Sequence, residues 1–225
     1  MTDITPNNLL AGNIKVEEKK LPLFYMLAKR FLDITISLLA IIIFLPIILI
    51  FIIAIRLESK GPAVFKQRRI GLCGKPFTIY KLRGMYIDAK ERFPELYDYT
   101  KKEGLDFYFH EHEDPRITKI GKFIRRTSID ELPNFINVLI GDMSLVGPRP
   151  EIPEVLPLYK ENLNKYLSVK PGITCFSKAK LRDAADKEKT LTMDLEYIDT
   201  MSLSIDIKVL WLTFKHVVLR ANVYA

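Results

Sequence analysis

From Ile34 to Ile55 the chain runs 22 residues, ITISLLAIIIFLPIILIFIIAI, without one charged side chain. A straight helix of that length extends roughly 33 Å, enough to cross the apolar part of a bilayer. Core helices of soluble domains are seldom apolar on every face, so the block belongs in a membrane. Its flanks argue against a simple span. Lys19, Lys20, Lys29 and Arg30 precede it, and Arg56, Lys60, Lys66, Arg68 and Arg69 follow. A spanning helix should concentrate its positive charge on one side. Pro46, near the middle, cannot donate a backbone hydrogen bond and should kink the helix. A bent helix over residues 29–60 that enters and leaves by the same face satisfies both features. Asp33 would then lie at headgroup depth, facing Lys29 or Arg30. The alternative is a spanning helix that simply tolerates its proline.

Outside this block the composition is that of a folded domain. Hydrophobic residues make up 48% of the 225, but one block holds a dense share, and 27% are charged. The net charge of +7 favours anionic partners such as phosphates or acidic lipid. Only Cys73 and Cys175 are present, with no paired spacing, which fits a reducing compartment better than a disulfide framework. Residues 1–28 read as a loose tail without a secretory signal, and residues 61–225 as the soluble part.

Gly61-Pro62 opens that domain. Ala63–Gln67 and Lys75–Leu82 alternate apolar and polar residues around Gly71 and Gly74, which predicts a hairpin. Lys81 and Arg83 lie at its end, beside Arg68 and Arg69. The run His110, Glu111, His112, Glu113, Asp114 alternates at a spacing that suits neither face of a helix, and it reads as a solvated loop. A short helix should bury Ile117, Ile120, Phe123 and Ile124. Helices are expected over Pro153–Tyr166, Leu191–Thr200 and Ile205–Arg220. The last, with Ser204 as its cap, carries Trp211 either to the lipid interface or onto the core. His216 is read as a surface or core residue. The fold class is α/β and rich in α: a re-entrant helix, a short hairpin and amphipathic interfacial helices.

The chemistry concentrates in RRTSIDELPNFINVLIGDMSLVGPRP, Arg125 to Pro150. Ser128 to Glu131 matches a capping box, and Asp130 could itself be the cap, placing Pro133 in the first turn of a helix that buries Leu132, Phe135, Ile136 and Leu139. As caps alone these acids stabilise by ~1 kcal/mol. With Arg125 and Arg126 beside them and free N–H groups at the helix end, they also make a phosphate site. A carboxylate held there should stay ionised and be able to bind a divalent cation or attack phosphorus. Gly147-Pro148-Arg149-Pro150 fixes an arginine between rigid residues, suited to a phosphate or a planar base. Acids and arginines beside a membrane point to phosphoryl transfer to or from a lipid.

This ordered set resembles the bacterial monotopic phosphoglycosyl transferases, which initiate capsule, exopolysaccharide and glycoprotein glycans. The resemblance rests on the basic flank with Asp33, the proline-broken apolar block, Lys81-Leu82-Arg83, TSIDELP, NVLIGDMSLVGPRPE and Lys170-Pro171-Gly172-Ile173-Thr174. It implies transfer of a sugar 1-phosphate from a UDP-sugar to polyprenyl phosphate, with release of UMP and a requirement for Mg²⁺. It makes Asp130 the nucleophile, Glu131 its partner, and both of them metal ligands. Arg125, Lys81 and Arg83 would meet phosphate; Pro148, Arg149 and Pro150 would border the nucleotide. Two departures are visible. Leu82 replaces the family's usual Phe, and CFSKAKLRDA replaces its Gly-Trp and Asn-Gly-Arg-type segment, leaving Arg182 as the nucleotide-binding arginine. The resemblance also implies residence at the bacterial inner membrane, with residues 61–225 as a catalytic domain on its cytoplasmic face.

Two other readings stay open at this level: a silent membrane scaffold in which the acids only cap, and a metal-dependent lipid phosphatase. No D-x-D motif supports a metal-dependent glycosyl transferase. Basic runs without interleaved aromatics give no sign of nucleic-acid binding. A homo-oligomer is neither indicated nor excluded.

Overall fold

In the computed structural model, the described residues are 5–11, 16–97, 114–181 and 187–219. A short helix α1 (Pro6–Leu10) starts at Thr5, whose side chain accepts from Asn8 N, and it buries Leu9 completely against the core. Lys19 N donates to Ser168 O (2.9 Å). Within the stretch 1–28, expected as a loose tail, Leu9 thus touches the domain through apolar surface and Lys19 through its backbone, while Leu23, Phe24 and Leu27 are exposed.

The apolar block lies within α2 (Leu23–Glu58), 36 residues that continue through Pro46 and are long and apolar enough to cross a membrane. Buried positions are confined to Tyr25, Asp33, Ser37, Ala40 and Ile55, while Leu39, Ile42, Ile43, Leu49, Ile50 and Ile53 are exposed. Both ends of α2 rest on the same folded body. Near its start, Arg30 donates to Val138 O (2.7 Å) and Leu139 O (2.8 Å). Near its end, Phe51 stacks on Phe123 and Ile55 is buried with Ala63, Leu82 and Ile124. Asp33 is not at the surface: it is buried and accepts from Ser144 Oγ (3.0 Å) and Leu145 N (2.9 Å), a better partner set for a desolvated carboxylate than one flexible cation.

The hairpin forms as the alternation predicts. Strand β1 (Val64–Ile70) pairs antiparallel with β2 (Pro76–Leu82), from Val64 opposite Leu82 to Ile70 opposite Pro76. After α3 (Ala89–Arg92) and a turn of 3₁₀ helix at Pro94–Tyr97, α4 (Lys119–Arg126) is capped by Thr118 and buries Gly121 and Ile124; Phe123 stays exposed because it meets Phe51 of α2 instead of the core. A β-carbon on Gly121 would lie 1.9 Å from Gly84 O, so only glycine lets α4 lie this close to the chain leaving β2.

A 3₁₀ segment (Ile129–Asn134) leads into α5 (Phe135–Ile140), then β3 (Ser144–Val146). A further 3₁₀ stretch (Leu156–Asn162) and α6 (Leu163–Tyr166) stand where one helix was expected, and Lys160 at φ 48° kinks the 3₁₀ stretch from within. Strand β4 (Gly172–Thr174) pairs parallel with β3, followed by α7 (Phe176–Leu181), α8 (Lys187–Thr200) and α9 (Leu203–Leu219). The core gathers Ile79, Val138, Met143, Leu156, Tyr159, Leu163 and Ile198 between the hairpin and α8. On α9, Ile207, Trp211 and Phe214 point outward, and Trp211 stacks on Phe214. The start of α9 is tied to α2 through Asp206, which takes Lys29 Nζ (2.8 Å), Tyr25 OH (2.9 Å) and Tyr197 OH (2.6 Å). The fold is thus helix-rich, with one long apolar N-terminal helix and small sheets.

Candidate active site

The Ser128–Glu131 segment is not a capping box. Ser128 adopts a left-handed conformation (φ 58°) and its side chain caps nothing, while its carbonyl accepts from Glu131 N (3.2 Å). Pro133 has no N–H for an α-type bond, and the segment winds as 3₁₀, where side chains three apart lie above one another. Asn134, Asn137 and Val138 turn inward and Ile136 outward, so the inward set differs from that expected of an α-helix beginning at Asp130.

This winding points Glu131 at two lysines. Its Oε1 pairs with Lys81 at 3.1 Å, from the end of β2, and its Oε2 pairs with Lys178 of α7. Burial pulls the Glu131 carboxyl upward, but Lys178 and Lys81 outweigh it, and the net shift is well below the usual carboxylate range. Asp130 behaves oppositely. Among the described residues it enters no ion pair. Burial, followed by the neighbouring Glu131 charge, pushes it up to about 6 against the pull of Lys81, Lys178 and Arg125. Two adjacent acids therefore divide: Glu131 is fixed as an anion, and Asp130 is a basic, uncommitted carboxylate. A helix-end dipole was expected to hold both ionised; lysines do this for Glu131 alone.

The cleft beside them is lined by Arg69, Ile79, Lys81, Glu131, Asn134, Met143, Arg149, Pro150, Gly172, Ile173, Cys175 and Lys178. Four cations against one acid suit a polyanion. The Gly147–Pro150 turn is fixed from behind. Gly172 N donates to Pro148 O (2.9 Å) and Gly147 N to Thr174 O (3.1 Å). A β-carbon on Gly147 would meet Lys170 O at 2.4 Å, and one on Gly172 would meet Gly147 N at 2.2 Å. The buried Asp194 of α8 accepts from Arg149 N (3.0 Å) and Ser177 Oγ (3.0 Å), joining the turn to the helix that carries Lys178.

Of the residues marked in the sequence, Glu131, Lys81, Arg149 and Pro150 line this cleft, while Asp130, next to Glu131, feels Lys81 and Lys178 without lining it. Arg125, in the last turn of α4, is close enough to act on the Asp130 charge but does not line the cleft. Pro148 is buried and shapes the turn from within. Arg83 is a correction. It is buried and donates to Ser59 O (2.7 Å), Ser59 Oγ (3.0 Å) and Lys60 O, capping the carbonyl end of α2 instead of meeting phosphate. The unpaired carbonyls at a helix end attract a guanidinium strongly. Arg182 and His110–Glu113 lie outside the described residues; Asp114 closes a turn onto Arg116 (2.7 Å). The sequence reading missed Lys178, Arg69 and Asn134. Lys178 sits in the segment noted only as a departure, and its basic charge just after Gly172-Ile173-Thr174 was the available signal.

Comparison with known proteins matches this arrangement to one family. The family model described as bacterial sugar transferase matches residues 24–220. The chain is 43% identical over 196 residues to the galactosyl transferase CpsE of Streptococcus agalactiae, covering 87% of this chain and 43% of that protein. It is 39% identical to the uncharacterized sugar transferase EpsL of Bacillus subtilis, covering 88% and 91%. It is 38% identical to the UDP-glucose:undecaprenyl-phosphate glucose-1-phosphate transferase of Escherichia coli, covering 83% and 39%. The chain thus spans about two fifths of the length of CpsE and of the E. coli enzyme, and nearly all of EpsL. With the matched region running from the first turn of α2 to the end of α9 and containing the whole cleft, the chain belongs to the bacterial sugar transferase family.

Proposed function

We propose that the protein transfers a sugar 1-phosphate from a UDP-sugar to polyprenyl phosphate, releasing UMP, through a covalent phosphosugar-aspartate on Asp130. The observation that carries this reading is the division of the two acids. Asp130 is free of ion pairs among the described residues and pushed up to about 6, so at neutral pH it is ionised yet more basic than an ordinary aspartate. A carboxylate oxygen of Asp130 attacks the β-phosphorus; the bond to the bridging oxygen breaks, and UMP leaves with the electron pair. A phosphate oxygen of the lipid then attacks the same phosphorus and expels the Asp130 carboxylate. Lys81, Lys178 and Arg149 offset the phosphate charge in the cleft, the term that dominates phosphoryl transfer.

Mg²⁺ fits Asp130. Mg²⁺ binds through one or two carboxylates plus substrate phosphates, and among the described residues Asp130 enters no ion pair that would occupy its oxygens. Glu131 fits less well than the resemblance implied, because each of its oxygens already takes a lysine ammonium. When bound, the ion supplies further neutralisation of the diphosphate. Among the described residues no group of three or more His, Cys, Asp or Glu side chains converges, so a carboxylate-rich metal phosphatase finds no support.

The membrane reading is of the same kind. Both ends of α2 contact one folded body, whereas a spanning helix presents its ends to opposite sides; this supports a re-entrant helix over 29–60, with the domain from residue 61 on one face. The outward Trp211 and Phe214 of α9 support an interfacial position for that helix. The side is the cytoplasmic face of the inner membrane, where UDP-sugars are made. The test is UMP release by the purified protein from a panel of UDP-sugars. Release that needs both polyprenyl phosphate and Mg²⁺ over repeated turnovers supports the reading, and no release from any donor would overturn it.

A further inference from the structure

Asn134 is a neutral polar residue of the cleft that the reaction above leaves without a task, and it is built for one. It lies at the end of the 3₁₀ segment, three residues after Glu131, so the two side chains stack on the same cleft wall. Only 2% of Asn134 is exposed, and among the described residues its Oδ1 has no hydrogen-bond partner. An unsatisfied buried carbonyl oxygen destabilises the folded chain, and a ligand bringing a donor recovers that loss. The rest of the polar lining is charged. Arg69, Lys81, Arg149 and Lys178 select anionic oxygens, which an amide oxygen repels. The neutral acceptor therefore serves a different part of the ligand. Asn134 is also four residues beyond Asp130, roughly 6–8 Å along the segment axis. The group attached to a phosphorus at Asp130 can reach it.

We infer that Asn134 is a specificity residue for the sugar of the donor, its Oδ1 accepting a hydrogen bond from a ring hydroxyl or an acetamido N–H. A neutral hexose or N-acetylhexosamine satisfies it; a sugar presenting a carboxylate there does not. The inference rests on the proposed function for the identity of the ligand, and its test is separable from that reading.

The test compares binding of UDP and of the best UDP-sugar to the full chain in lipid nanodiscs by calorimetry, with Asp130→Asn in every sample so that no donor is consumed. The quantity read is the ratio of UDP-sugar to UDP affinity, in which effects on the diphosphate cancel. Asn134→Leu, which keeps the shape and removes the acceptor, should lower the ratio about tenfold. Asn134→Asp keeps an acceptor oxygen and should hold the ratio within about twofold, which also guards against a Leu variant that fails to fold. An unchanged ratio in Asn134→Leu, or equal losses of both ligands, overturns the inference, the latter because Asn134 would then only organise the lysines. A collapse of the ratio in Asn134→Asp equal to that in Asn134→Leu overturns it as well. Absence of UMP release by the wild type would remove the proposed reaction and leave this ratio to decide the sugar contact independently.

Discussion

Two acid–lysine clusters flank the Gly147–Pro150 turn, and they differ in how completely they are closed. Behind the turn, Glu151 and Lys187 form an ion pair with side chains 1% and 3% exposed. Burial pulls the Glu151 carboxyl upward, and Lys187 first, then Arg149 and Arg69, outweigh it and hold it below its ordinary value. In front, Glu131 shares two lysines at the cleft, with its side chain 18% exposed and those of Lys81 and Lys178 23% and 21% exposed. The rear pair is finished and can only hold the fold. The front cluster keeps spare ammonium hydrogens on an open wall beside an acid, Asp130, that no ion pair among the described residues has claimed. Charge alone does not mark the site; incomplete satisfaction next to solvent does.

The contrast breaks most sharply at Asp130. Asp130→Asn should reduce UMP release by at least ~10⁴-fold while circular dichroism stays unchanged, because the nucleophile is lost without a packing change. A residual rate within tenfold of wild type would place the nucleophile elsewhere. The rear pair should respond in stability instead. Lys187→Met leaves a buried carboxylate uncompensated and should cost about 3–5 kcal/mol in denaturant unfolding, most of it recovered when Glu151→Leu is added. If Lys187→Met left stability untouched, the two clusters would not differ as described.

Smaller effects sharpen the comparison. Lys178→Met removes a charge that lowers the Asp130 pKa, so the acid limb of the pH–rate profile, expected near 6 in the wild type, should move to higher pH, with about a tenfold loss of turnover at neutral pH. A limb that stays in place would mean that Lys178 does not act on Asp130. Asp130 also leaves a signature in stability. The Asp130 pKa is raised in the folded state, from 3.8 to about 6. Its contribution is therefore fully present below the unfolded value and is lost as pH rises through about 6. Asp130→Asn, neutral at every pH, should have a higher thermal midpoint than the wild type at pH 8, and the gap should shrink toward pH 4. The opposite trend would contradict the raised pKa.

What the sequence made legible was what local pattern decides. The 22-residue apolar run, the alternation on either side of Gly71 and Gly74, and the Asp-Glu pair beside basic residues all survive into the structure, because period, charge and turn chemistry act over a few residues. What it hid depends on distant partners. Lys178 reaches Glu131 across 47 residues, and Asp33 reaches Ser144 across 111. Arg83 looks like a phosphate ligand by spacing, yet its guanidinium goes to the end of α2, a competition that nothing near residue 83 announces. The S-x-x-E box was misread for a similar reason: two lysines from other elements outbid a local cap for Glu131. Asn134 carries no motif, and its burial without a partner among the described residues is what exposes it.

The covalent step is tested most directly by intact-protein mass spectrometry after mixing the wild type with its UDP-sugar and Mg²⁺ in the absence of polyprenyl phosphate. One added sugar-phosphate per chain is expected, on the peptide containing Asp130, absent in Asp130→Asn and discharged when polyprenyl phosphate is added. An enzyme that turns over with lipid present, yet shows no adduct and releases no UMP without it, would contradict the aspartate intermediate and require direct attack by the lipid phosphate.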